Sequence, residues 1–314
     1  MSNQILWDCH MHSSFSADSD TPMEDMIQDA IRRGLHGVCF TEHLDPDYPP
    51  TPDNETFELD LSAYQENLFM LRDKYQSKLD VRFGIELGLQ PHLEHSFKEL
   101  LESVPFDFVI GSSHVVHGQD PYYREFFKGR KESECYMEYF ESILENLAVF
   151  SEMDVYGHID YVVRYGPNQN REYSYGRYQD ILDEILRTII SKGCGIELNT
   201  GGFHYGLGEP NPCRAVIRRY RQLGGEIITI GADAHGPVLQ LRDVLQITGQ
   251  AVSTFEVPAA GHQAVVAQQN GVAAAAGLYG GLCQLRCAEE AVRRAGDGGC
   301  SGVADCIVDS PKGL

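Results

Sequence analysis

No apolar run in this 314-residue sequence approaches the roughly 18 residues that a membrane-spanning helix needs, so no membrane partner is expected. The first residues, MSNQILWDCHMH, have neither the basic start nor the apolar stretch of a secretory signal, and a cytoplasmic location is expected. Basic residues are scarce. Lys and Arg number 25 against 46 Asp and Glu, a formal charge of −21. Such a surface repels phosphate backbones, so no nucleic-acid partner is expected, although one basic pocket is still compatible with it. Paired thiols are missing too. The nine cysteines are scattered and odd in number, none forms a CxxC pair, and Cys283 with Cys287 comes nearest, which argues for reduced thiols. What remains is ordinary for a globular chain, with 42% hydrophobic and 23% charged residues and room for one large domain or two modest ones. Twelve histidines stand out, because several fall where strands should end.

Short apolar, β-branched segments alternate with amphipathic ones over most of the length. The strand-like runs are ILW at 5–7, GVCF at 37–40, VRFGIEL at 81–87, FDFVIGSS at 106–113, DVYGHI at 154–159, CGIEL at 194–198 and EIITIGA at 226–232. Each is short and apolar enough for a buried parallel strand. The helix-like segment at 21–34 has Thr21 as N-cap, Pro22 at the first helical position and Gly34 as its stop. Others lie at 62–75, 132–150, 178–193 and 211–225. Seven strands with intervening helices predict an α/β fold, a TIM-like (β/α)7 barrel. An open doubly wound sheet is the alternative, and the lack of a Gly-rich phosphate loop after the first strand counts against it.

The last quarter reads differently. Residues 237–314 carry seven acids, five bases and four of the nine cysteines, in Ala- and Gly-rich stretches such as AGHQAVVAQQNGVAAAAGLYGGL. VLQLRDVLQ at 238–246 suits the helix after the seventh strand, and beyond it no helical or strand period is discernible. The expected division is a barrel domain over 1–249 and a poorly ordered tail over 250–314. A shifted reading frame would also produce so abrupt a change.

The strand ends carry the chemistry. In order they offer Asp8, His10 and His12 with Asp18 beyond; Thr41, Glu42 and His43; Glu86; His114; His158 and Asp160; Glu197 and Asn199; and Asp233 with His235. In a parallel barrel all strand C-termini meet on one face, so these groups converge in one cleft. A lone histidine at a strand end is usually a hydrogen-bonded structural residue. Two histidines two residues apart are stronger, because they point to the same side of a strand. Imidazole and carboxylate recurring at all of these strand ends point to bound metal, and ligands without thiolate suit Zn, Mn or Fe in partly open sites.

The stretches DCHMHSSFSADS, FTEHLD, GIELGL, GSSHVV, YGHIDYVVRYG, IELNT and GADAH resemble the polymerase and histidinol phosphatase (PHP) superfamily, and its histidinol-phosphatase branch most closely. The resemblance spans roughly residues 5–236. It implies a distorted seven-stranded barrel with three divalent metals and nine ligands. His10, His12, Glu86 and Asp233 would hold one metal. Glu86 would bridge to a second, held also by His114 and His158, beside the hydroxide that attacks phosphorus. Asp18, His43 and His235 would hold the third. Asp8 and Glu42 would stand behind the ligands and orient imidazoles, with Glu42 equally open to a ligand role.

By the same resemblance the chain hydrolyses a small-molecule phosphomonoester, L-histidinol phosphate, to L-histidinol and phosphate in histidine biosynthesis. A metal cluster neutralises the ester dianion and supplies hydroxide at neutral pH, and it inverts the local field of an otherwise acidic protein. Arg164, just past His158 and Asp160, is the candidate to grip the phosphoryl oxygens, and Asn199 is a second candidate for a substrate contact. His117, Tyr122 and Tyr123 are placed at the imidazole or amine end. Two other functions remain open. One is the same chemistry on a sugar phosphate, a nucleotide or another small phosphoester. The other is a non-catalytic metal-binding module, against which no ligand position is lost.

Overall fold

The computed structural model describes residues 7–51 and 56–237. Seven strands follow one another in chain order and pair in parallel with their sequence neighbours: β1 (Trp7–Met11), β2 (Gly37–Leu44), β3 (Asp80–Gly88), β4 (Phe108–Ser112), β5 (Val155–Tyr156), β6 (Gly195–Asn199) and β7 (Ile228–Gly231). The sheet curls nearly closed. Met11 bridges Ala234 in parallel, His12 N–H donates to the Ala234 carbonyl at 2.9 Å, and Asp233 N–H donates to the His10 carbonyl at 2.8 Å. The fold is therefore a distorted (β/α)7 barrel and not an open doubly wound sheet. The last seam is closed by the residues that carry the functional side chains.

Helices cover the strands: α1 (Met23–Arg33), α2 (Leu61–Tyr75), α3 (Glu94–Ser103), α4 (Glu132–Val149), α5 (Gln179–Ser191), α6 (Gly201–His204) and α7 (Arg214–Gln222). Apolar spacing explains their seating. Tyr136, Tyr139, Phe140, Ile143 and Leu147 form the buried stripe of α4, and Leu182, Ile185, Leu186 and Ile189 that of α5. Gly34 ends α1 in the left-handed conformation (φ 78°), as its sequence position predicts. The start differs. Pro22 is the N-cap, and the Thr21 hydroxyl donates instead to the His235 carbonyl at 3.2 Å, tying α1 to the end of the barrel. No helix among the described residues is long and apolar enough to cross a membrane.

Strand lengths depart from the apolar runs. β1 and β2 continue through Asp8-Cys9-His10 and Thr41-Glu42-His43, because those polar groups find partners inside the barrel. β5 stops at Tyr156; Gly157 N–H still donates to the Gly111 carbonyl at 2.9 Å, and His158 N–H donates instead to Glu197 Oε2 at 3.1 Å, where the chain enters the site. The expected helix at 238–246 and tail at 250–314 lie outside the described residues.

Candidate active site

The C-terminal ends of the strands bring all nine expected ligand side chains into one cluster. Glu86, near the end of β3, is fully buried at its centre. Its Oε1 lies 3.0 Å from His158 Nε2 and 3.4 Å from His114 Nε2. Its Oε2 lies 3.1 Å from His10 Nε2, 3.5 Å from His12 Nε2 and 3.1 Å from His43 Nδ1. Asp233 faces the first pair of imidazoles, with Oδ1 3.6 Å from His10 Nε2 and 3.5 Å from His12 Nε2. It adopts the left-handed conformation (φ 56°), which Asp tolerates better than most residues. At the rim, Asp18 Oδ2 lies 3.1 Å from His235 Nε2 and 3.6 Å from His43 Nε2.

These contacts are not an ordinary hydrogen-bond network. The buried atoms His43 Nδ1 and His235 Nε2 have no hydrogen-bond partner, although a carboxylate oxygen stands 3.1 Å from each. The Nε2 atoms of His10 and His12 face each other at 3.1 Å. Ligand atoms around a tetrahedral zinc are about 3.3 Å apart, given bonds of about 2.0–2.1 Å. The donor atoms group in that way as His10–His12–Glu86, His43–Glu86–His114 and His12–His43–His235. The donor set fits a cluster of divalent cations, with oxygen and imidazole nitrogen and no thiolate.

Partners behind His10, His12 and His114 fix which nitrogen of each of these three imidazoles carries its proton. His10 Nδ1 pairs with Glu197 at 2.6 Å and His114 Nδ1 with Asp45 at 2.7 Å, so both Nε2 lone pairs turn toward the cluster. Ser16 Oγ donates to Glu42 at 2.6 Å, and accepts from His43 N–H at 3.0 Å and from His12 Nδ1 at 3.1 Å. One donor and two acceptors exhaust that hydroxyl, so His12 also presents Nε2 bare. Glu42 is thus held by hydrogen bonds behind the ligand candidates. Its oxygens are taken by Ser13 Oγ, Ser13 N–H and Ser16 Oγ. Asp8 likewise accepts from the backbone of His10 and Ala232. Gly231 is required here, since a Cβ would collide with Glu197 and with His10.

The carboxylates compete with this arrangement for protons: against burial they raise the pKa of His10, His43 and His114, that of His114 to about 10, so these imidazoles give up their protons only to a cation that takes the proton's place. Burial alone would raise the pKa of Glu86, but His10, His43 and His114 hold it well below the usual carboxylate range. Burial, then the neighbouring His43 and His235, push His12 well below the usual imidazole value, which favours its neutral, ligating form. Burial raises both Asp8 and Glu42 to about 7 against their hydrogen bonds.

Arg164 is buried beside the cluster, and three of its N–H groups are committed. Nη1 donates to Asp233 Oδ2 at 2.8 Å, Nη2 to Asn199 Oδ1 at 2.8 Å and Nε to Asn211 Oδ1 at 2.9 Å. Two of its five N–H groups remain. Asn199 holds Arg164, and its Nδ2 also lies 3.2 Å from Asp233 Oδ2. A cavity of about 340 Å³ opens above the cluster, lined by Arg164 and by aromatic side chains that include Tyr48, Phe57 and Tyr161. Tyr122 and Tyr123 line it as expected. His117 does not. It turns outward and pairs with Glu138 and Glu145 of α4, each at 3.1 Å.

The PHP domain family matches residues 8–201, more than half of the chain. The chain belongs to the PHP domain family. Its relatives place it in the histidinol-phosphatase branch. The histidinol-phosphatase of Lactococcus lactis is 34% identical over 241 residues, 76% of this chain and 87% of that one. A probable histidinol-phosphatase of Clostridium acetobutylicum is 32% identical over 74% of this chain and 87% of its own length. The fold matches a crystal structure of the Lactococcus lactis histidinol phosphate phosphatase complexed with zinc, L-histidinol and phosphate, with a TM-score of 0.73 and 30% identity, covering 79% of this chain and 93% of that one.

Sequence reasoning about this PHP domain missed Asp45, Ser13, Ser16, Asn211 and Asp120. Asp45 had a signal, since it stands two residues after His43 and alternation places it on the same side. The serines had none, because Ser16 acts through the tautomer of His12 and Ser13 through its bonds to Glu42.

Proposed function

We propose that the chain is a metal-dependent phosphomonoesterase that hydrolyses L-histidinol phosphate to L-histidinol and phosphate. The observation that carries this reading is Glu86, whose two oxygens face separate sets of imidazoles, His158 and His114 on one side and His10, His12 and His43 on the other. A carboxylate in that position would hold two ions, one on each oxygen. We assign His10, His12, Glu86 and Asp233 to one, Glu86, His114 and His158 to a second, and Asp18, His43 and His235 to a third. Zinc, iron and manganese all suit the donors, and the zinc of the Lactococcus lactis enzyme favours zinc.

When bound, such ions offset the charge of a phosphoester dianion and make a water acidic enough to act as nucleophile at neutral pH. The chain's own residues prepare the ground. Glu197, Asp45 and Ser16 hold the imidazoles of His10, His114 and His12 in ligating tautomers. Arg164 turns its two remaining N–H groups to phosphoryl oxygens, and Asn199 keeps the guanidinium in plane with them. The aromatic walls leave a cleft of small-molecule size. All five cysteines in the described residues are free thiols, which supports a reducing, cytoplasmic setting.

Phosphate release by metal-replete protein from a panel of phosphoesters tests this. L-Histidinol phosphate should be turned over with the highest kcat/KM. Preference for a sugar phosphate or nucleotide would overturn the substrate, and no release from any ester would overturn the enzyme.

A further inference from the structure

Asp160 is buried just past His158, and it is not among the metal-ligand candidates. All of its partners are donors. Oδ1 accepts from Asn211 Nδ2 at 2.6 Å and Oδ2 from the Cys213 N–H at 2.8 Å, and the Tyr173 hydroxyl also bonds to the carboxylate. A carboxylate only accepts, so the end of the Asn211 amide that faces it is the NH2 group. That leaves Asn211 Oδ1 for Arg164, whose Nε donates to it at 2.9 Å. A reversed amide would set N–H against N–H at the arginine. The second amide on the guanidinium is fixed in the same way. Asn199 Nδ2 lies 3.1 Å from Glu197 Oε2 and 3.2 Å from Asp233 Oδ2, which turns Asn199 Oδ1 to Arg164 Nη2. The two asparagines are also tied to each other, the N–H of each donating to the carbonyl of the other at 2.8 Å.

We propose that Asp160 is a positioning residue for the reaction: by fixing the direction of the Asn211 amide, it aims Arg164 at the phosphoryl oxygens. The proposal rests on the phosphomonoesterase reading and adds what keeps its phosphate grip in place. A guanidinium held at Nε, Nη1 and Nη2 cannot turn on its stem, so its two remaining N–H groups keep one direction. Asp160 has a structural duty as well, because the Cys213 N–H that it accepts lies at the N-cap of α7.

The two roles separate in a variant. In Asp160→Asn, an amide that still accepts from the Cys213 N–H must show its NH2 group to Asn211, which then turns its own NH2 group toward Arg164. On the metal-replete full chain, kcat/KM for L-histidinol phosphate should fall about 10- to 100-fold, the worth of one hydrogen bond to a charged group. Affinity for inorganic phosphate, measured by calorimetry, should fall with it, and metal content should not change. The exchanged pair, Asp160→Asn with Asn211→Asp, again matches a donor to an acceptor at both contacts and should recover most of the loss. With Arg164→Ala already present, Asp160→Asn should cost less than about twofold, since no guanidinium is left to aim. An equal loss with and without Arg164 would confine Asp160 to anchoring α7 and overturn the proposal. Should Asp160→Asn fold poorly, Asn211→Ala leaves the Cys213 bond in place and is compared across the same two backgrounds, where equal losses again overturn it. If wild-type protein releases phosphate from no ester, the phosphomonoesterase reading falls, and phosphate affinity in the same variants still decides the role of Asp160.

Discussion

Arg164 and the His10–His12 pair grip opposite oxygens of Asp233. Nη1 of Arg164 donates to Oδ2 at 2.8 Å, while the imidazoles face Oδ1 at 3.6 and 3.5 Å. The arginine thus orients a metal-ligand candidate with Nη1, is itself held by Asn199 and Asn211, and lines the cavity with two N–H groups uncommitted. Arg164→Ala should reduce kcat/KM by about 30- to 1000-fold, or about 2–4 kcal/mol of transition-state stabilisation. It should lower metal content less than Asp233→Ala does, because Asn199 still contacts Oδ2. Kinetics with metal analysis on both variants check this, and an unchanged kcat/KM in Arg164→Ala would remove it from the reaction.

Ser16 serves Glu42, His12 and the backbone of His43 with a single hydroxyl. Ser16→Ala frees His12 to take the other tautomer and leaves Glu42 one donor short. Metal affinity should fall about 10- to 100-fold, as when other partners of ligands are removed. Titration of the stripped protein with zinc measures it. Wild-type affinity in the variant would mean that the tautomer is set elsewhere.

A second arginine pairing bears on stability. Asp183 in α5 accepts from Arg219 of α7 at 2.5 and 2.8 Å and from Arg187 at 2.9 Å. Hydrogen bonding to Arg219 is the main reason its pKa falls to about 2. A carboxylate depressed by folding stabilises above its unfolded value, about 3.9, and loses that contribution as pH falls through the folded value. Asp183→Asn should cost about 1–2 kcal/mol at pH 7, discounted because Arg187 lies in solvent. The gap between the two proteins should narrow from about pH 4 toward pH 2. Denaturant titrations across that range decide it, and a gap independent of pH would exclude the ion pair as its cause.

Most of the site is legible before any fold is known. His10 and His12 alternate on one strand, and the other ligand candidates sit at the ends of apolar runs, so the barrel rule brings them together. What could not be read depends on distance along the chain. Nothing near Asp45 announces His114, 69 residues away, and nothing near Asp160 announces Asn211. Asp120 lies past the fourth strand in a loop whose path no periodicity fixes. The same holds for His117, expected at the cleft but drawn outward by two carboxylates on α4. Arg164 was visible by type and position, whereas its bond to Asp233 needed both strand ends in place.

The boundary between barrel and tail is open to a direct test. Arg33 of α1 donates to the Pro237 carbonyl at 2.6 Å, and the Ser19 and Thr21 hydroxyls donate to the His235 carbonyl. A chain ending at Gly236 keeps every ligand candidate but loses Pro237 and the expected helix at 238–246. It should aggregate as apolar strand surface is uncovered. A chain ending at Gly249 should keep its solubility, metal content and turnover. Loss of metal from the longer chain would show that residues beyond 249 belong to the domain.

The central claim is that the histidine–carboxylate cluster around Glu86 works through bound metal on L-histidinol phosphate. Phosphate release from that ester should be measured on protein stripped by chelation, with metal removal verified on the same sample, and again after zinc, manganese or iron is restored. The account predicts that release stops on stripping and returns with at least one of these ions. Full-rate release from verified metal-free protein would contradict it.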